Sequence, residues 1–145
     1  MRVKFCNLKA ITSAALLVVP MATSGLPAYA GEAQGLDGKV FVADAGEKGK
    51  AADEKNDVIT FNGGRFHSST CDQWGFDQGE YKSARSGDVV TFDVETRSEK
   101  DGRLVWKGTV RGDEIEGTFV HYRKPGFFMP NPTPVEHWFK GRAKS

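Results

Sequence analysis

The stretch GRLVWKGTVRGDEIEGTFVHYRK, residues 102–124, leaves little freedom in local structure. Leu104, Trp106 and Val110 fall on one face of an extended first arm, residues 104–110. Ile115, Gly117 and Phe119 fall on one face of a second, residues 115–124. Lys107, Thr109, Glu114, Glu116 and Thr118 take the opposite faces. A period of two is that of a half-buried sheet. The arms meet at Arg111-Gly112-Asp113-Glu114, and a Gly-Asp pair between β-rich runs is a strong hairpin signal.

The same grammar recurs along the chain. Strands are expected at 39–43, 57–61, 65–71, 80–85 and 89–96, then in the two hairpin arms and at 135–143. Residues 46–56, GEKGKAADEKN, read as a charged loop without apolar periodicity. Residues 72–79 read as a loop with two aromatics, and four prolines make 125–134 irregular. No amphipathic helix of useful length is expected.

Eight short strands joined by turns define an all-β domain, either a sandwich or a barrel. Short connections make consecutive strands neighbours. An eight-stranded antiparallel up-and-down barrel also removes both exposed edges, and this is the expected fold. The connections sort by parity. Those after strands two, four and six are tight (NGG, SGD and RGD), and those after one, three, five and seven are longer. One barrel end is therefore trimmed and the other rich in loops. Trp74 and Phe76, and Phe127, Phe128 and Met129, sit in two of those longer loops. They form either a rim over an open mouth or a plug that caps the core.

The first thirty residues read as a secretory signal peptide. Arg2, Lys4 and Lys9 precede an apolar run at 10–19 that is too short to span a bilayer, and Ala28-Tyr29-Ala30 is an A-x-A cleavage site. The expected mature chain is a single domain, 31–145, exported to a bacterial periplasm or secreted. Loss of those three basic residues leaves 17 Lys and Arg against 19 Asp and Glu, a net charge of about −2. That balance argues against nucleic acid as a partner, and the lack of another long apolar run argues against stable membrane insertion. Cys6 departs with the leader, so Cys71 stands alone, as an inert buried thiol or a reactive one.

Alternation assigns an inner face of Ile59, Phe61, Phe66, Tyr81, Val90, Phe92, Val94, Leu104, Trp106, Val110, Ile115 and Phe119. Ser68, Thr70, Ser83, His121 and Arg123 follow in the same parity. Apolar walls with a few polar groups describe a small-molecule pocket, and equally describe strands emerging into water at their ends. His67, Cys71, His121 and His137 lack metal-site spacing; His67 and Cys71 lie about 13 Å apart along a straight strand. Cys71 has no motif context for nucleophilic catalysis, so neither enzyme activity nor a metal or other cofactor is expected.

Trp106-Lys107-Gly108, Gly112-Asp113, Ile115-Glu116-Gly117-Thr118 and Trp138-Phe139-Lys140-Gly141 together resemble small exported lipocalin-like, or calycin-like, barrel proteins. The chain is shorter than typical lipocalins and lacks their C-terminal helix and disulfide. The resemblance implies a barrel that binds a small apolar ligand, or one used as an inhibitor or partner-binding surface. The leading expectation is a small apolar or amphipathic ligand at the loop-rich end. Phe92, Trp106 and Phe119 would line its site, with Trp74, Phe76, Phe127 and Phe128 as rim and His121 or Arg123 as polar anchor. The alternative is a protein-binding module, such as an envelope enzyme inhibitor, that uses the 127–129 loop.

Overall fold

The computed structural model describes residues 35–145; the expected signal peptide, 1–30, lies outside the described residues. Eight strands follow in chain order: β1 (Val40–Glu47), β2 (Glu54–Asn62), β3 (Arg65–Ser68), β4 (Gly79–Ser86), β5 (Val89–Ser98), β6 (Gly102–Arg111), β7 (Glu114–Tyr122) and β8 (Val135–Ala143). Each pairs antiparallel with the next, and β8 returns to β1 from Phe41↔Ala143 to Glu47↔His137. The result is a closed up-and-down barrel. The β6–β7 hairpin holds the register its alternation demands, with Trp106 opposite Phe119 and Val110 opposite Ile115.

The inward positions of these strands bury the apolar side chains, Ile59, Phe61, Phe66, Tyr81, Phe92, Trp106 and Ile115 among them. Such burial contributes about 1.5–3 kcal/mol for each large side chain. Asp93, Lys107, Glu116 and Lys140 point outward.

The barrel is filled unevenly. At the trimmed end the turns are two residues long, and in the β2–β3 turn both Gly63 (φ 58°) and Gly64 (φ 77°) adopt the left-handed backbone such hairpins need. Leu36, fully buried, closes this end. Its segment is tied down by Gly38 N–H to the Phe61 carbonyl (2.7 Å) and by Asp37, which accepts from Gly64 N–H and Tyr81 O–H. Burial, together with that hydrogen bond, raises the Tyr81 pKa.

Above Leu36 lies an aromatic plug. The Phe61 ring meets Phe41, Phe66, Tyr81 and Phe92 edge-on at centroid distances of 4.9–6.2 Å. One row across the sheet reads Phe92–Gly108–Gly117–Phe139, one residue per strand from β5 to β8. The two glycines make room for the two flanking rings. A Cβ on Gly108 would lie 2.7 Å from the Phe92 ring and 2.8 Å from the Phe139 ring.

Some boundaries differ from the sequence expectation. β3 ends at Ser68 rather than Cys71, and residues Ser69–Trp74 form a 3-10 helix. The cause is Asp57 on β2. Its carboxylate accepts from Ser68 Oγ (2.7 Å), Ser69 Oγ (3.1 Å) and Thr70 N–H (3.0 Å), and so draws the chain out of the sheet. The expected charged loop at 46–56 is shorter, because β1 runs to Glu47 and β2 starts at Glu54. A register shift between Ala43 and Ala45 carries β1 past the point where its apolar pattern fades, and Asp44 Oδ1 accepts from Asn56 N–H across it.

Candidate functional site

The loop-rich half of the barrel is hollow. A cavity of about 430 Å³ lies above the Phe92–Phe139 row, within the size range of small-molecule sites. Every longer connection contributes to its lining: Asp53 after β1, Thr70 to Phe76 after β3, Asp101 after β5 and Arg123 after β7. Its deep wall is a continuous ring stack. Trp106 stacks on Phe119 at 4.2 Å and 30°, and Phe119 on His137 at 4.6 Å and 2°. Trp106 is fixed by its indole N–H to Thr96 Oγ1 (3.4 Å) and by packing on Phe66 and Phe139.

The mouth is held by hydrogen bonds that are already made. Ser98 Oγ donates to the Trp74 carbonyl (2.7 Å) and accepts from Asp101 N–H (3.1 Å). Lys124 Nζ donates to the Glu99 carbonyl (2.8 Å). Trp138 Nε1 donates to the Lys50 carbonyl (3.1 Å), and Lys48 N–H to that of Glu136 (2.9 Å), fastening the β1–β2 loop to β8. A pre-formed site of this kind binds without first ordering its loops.

The polar lining falls into two groups. On the 3-10 helix side, the Asp57 carboxylate is 3% exposed and supplied by neutral donors. Cys71 Sγ lies 3.2 Å from Ser68 Oγ in the same network. Burial pushes the Cys71 thiol up to about 11; the Ser68 contact opposes the rise and the Asp57 charge adds to it. A thiol of this kind is protonated at neutral pH, which places Cys71 with inert rather than reactive cysteines.

Across the cavity, His121 Nε2 donates to the Asp101 carbonyl (2.9 Å), and its ring meets Phe76 edge-on at 5.8 Å. His137 Nδ1 is buried and makes no hydrogen bond of proper geometry. Burial lowers the His137 pKa, which the nearby Val135 carbonyl offsets only in part. His137 was not among the residues the sequence singled out for ligand contact. The signal was its inward parity with Phe139 on β8, a strand whose alternation is obscured by Trp138.

Of the sequence-derived ligand residues, the structure brings Trp74, Phe76, Trp106, Phe119, His121 and Arg123 to this one cavity. Phe92 is elsewhere: it lies over Gly108 in the plug, against Phe61 and Phe66, and forms no part of the cavity lining. Phe127 and Phe128 also stand apart, 94% and 97% exposed on a turn closed by two hydrogen bonds between Gly126 and Met129. They do not plug the barrel. Phe76 is the loop aromatic that turns inward. Among the described residues, no group of three or more His, Cys, Asp or Glu side chains is arranged to hold a metal ion. No protein-family pattern matches the chain, and no curated protein or solved structure is significantly similar to it.

Proposed function

We propose that this protein is a non-enzymatic binding protein that encloses a small apolar or amphipathic molecule at the loop-rich end of its barrel. The observation that carries the reading is the contrast between the two halves of one interior. The trimmed half is packed solid with aromatic rings, while the other holds about 430 Å³ of space behind a mouth braced by hydrogen bonds. Binding is driven by burial of apolar surface at the cavity wall, where Trp74 and Phe119 keep accessible area beside the buried Leu104 and Trp106, on the order of 25 cal/mol per Å². His121 and Arg123 are the polar groups of the wall that can orient the ligand. The expected export of the chain is consistent with a carrier outside the cytoplasm.

A neutral hydrophobic fluorophore such as N-phenyl-1-naphthylamine tests the reading. The expected result is saturable one-to-one binding with a blue-shifted emission, abolished in Leu104→Trp, which fills the cavity while keeping an apolar wall. Unsaturable binding, or binding equally strong in a folded Leu104→Trp protein, contradicts it.

A second reading rests on Phe127 and Phe128, whose exposed rings stand 5.2 Å apart on a proline-flanked turn. Two rigid aromatic anchors at one tip suit a pocket on a protein partner. Phe127→Ser with Phe128→Ser then abolishes partner capture and leaves fluorophore binding intact.

A further inference from the structure

We propose that the molecule held in this cavity is a cation: a hydrophobic amine whose apolar body lies against Trp106 and Phe119 and whose ammonium faces the carboxylates of the wall and rim. The proposal rests on the binding reading above and names the chemical class of its ligand. Four acidic residues line the cavity, Asp53, Glu54, Asp57 and Asp101, against one arginine, Arg123. Among the described residues no lysine or arginine is in ion-pair contact with any of the four.

Asp57 is the strongest element of this field. It is almost fully buried, so water screens it little. Its charge is met by hydroxyls and one amide N–H and by no cation, and Oδ2 carries a single hydrogen bond, from Ser68. A carboxylate has about four lone-pair sites, which leaves room for a further donor. An ammonium brings three donors and the missing charge together.

The rest of the lining points the same way. The Trp106–Phe119 stack and Phe76 give the cavity aromatic walls, which attract cations through their ring quadrupoles. His137 has its pKa lowered by burial and so adds no positive charge near neutral pH. An anionic head group in the same space faces three more negative than positive side chains.

The test compares octylamine, octanol and octanoate, which share one chain length and differ in charge, by calorimetric titration near neutral pH and at low salt. Octylamine is expected to bind at least about tenfold more tightly than octanol, with octanoate weakest. Replacing the exposed rim acids, Asp53→Asn with Glu54→Gln, is expected to narrow the preference for octylamine over octanol by about threefold. Equal binding of octanol and octylamine, or tightest binding of octanoate, overturns the charge assignment while the binding cavity stands. If none of the three binds, both this inference and the reading beneath it fail.

Discussion

Adding one methyl group at Gly108 tests how the filled and hollow halves of the barrel are kept apart. In Gly108→Ala the new Cβ lies 2.7 Å from two atoms of the Phe92 ring and 2.8 Å from the Phe139 ring. Carbon atoms settle at about 3.5–4.0 Å, so both rings must retreat by most of an ångström. Neither has room. Phe92 is held by Phe61 at 5.0 Å and Phe66 at 6.0 Å, and Phe139 by Trp106 at 5.5 Å. Overpacking of this kind costs about 1–3 kcal/mol, or roughly 4 °C in Tm for each kcal/mol in a domain of this size. Phe92→Leu alone costs about 1–2 kcal/mol by lost burial. In the double variant the smaller side chain makes way for the methyl, so the combined loss should fall short of the sum by at least about 1 kcal/mol. Urea denaturation followed by circular dichroism measures all three variants. Losses that add to within about 0.5 kcal/mol refute the claim that Gly108 exists to seat the Phe92 ring.

Other consequences are as direct. With its thiol pushed up to about 11 from an ordinary 9.0, Cys71 holds about a hundredfold less thiolate at pH 8 than when unfolded, offset about tenfold by greater intrinsic nucleophilicity. Stopped-flow alkylation should therefore run at least about tenfold slower in the native protein than in urea, and native labelling at the unfolded rate excludes the buried thiol. His137 titrates below its ordinary 6.5 in the fold, so the unfolded chain binds the extra proton first and stability falls as pH drops below that value. His137→Phe, which keeps the stack on Phe119 and removes the proton, should flatten that acid limb in thermal melts taken across pH; an unchanged limb assigns acid sensitivity to other groups. Phe127→Ser with Phe128→Ser should leave Tm within about 1 °C of the parent, since both rings are in solvent, and a larger drop shows that the tip packs on the barrel.

The barrel was legible because its signals are local and repeated. Alternation in the β6–β7 hairpin set the register of Trp106 with Phe119, and the tight-turn parity located the loop-rich end. The charged residues of 46–56 hid the true ends of β1 and β2, because the last inward position of β1 is Ala45, too small to register as apolar periodicity. The corner after Ser68 was invisible for another reason. It is made by Asp57, a residue on a different strand, and a pattern read along one segment carries no trace of such a contact.

The candidate site was legible in part for the same physical reasons. Trp106, Phe119 and His121 follow from parity alone. Phe92 obeys the same parity but belongs to the packed half, because depth along the barrel axis is set by strand stagger and by the Gly108–Gly117 gap, not by which face a side chain takes. Phe76 and Phe127 are both loop aromatics by sequence. Only the 3-10 helix and its Gly75 cap turn one of them inward.

Native mass spectrometry of the protein, purified gently from the cells that produce it, reads directly whether the barrel carries a bound molecule. The expected result is a second mass, small enough for a cavity of about 430 Å³, that is present in the folded protein and lost on denaturation. A bare mass, unchanged after incubation with a cell extract rich in lipids and small metabolites, would contradict it.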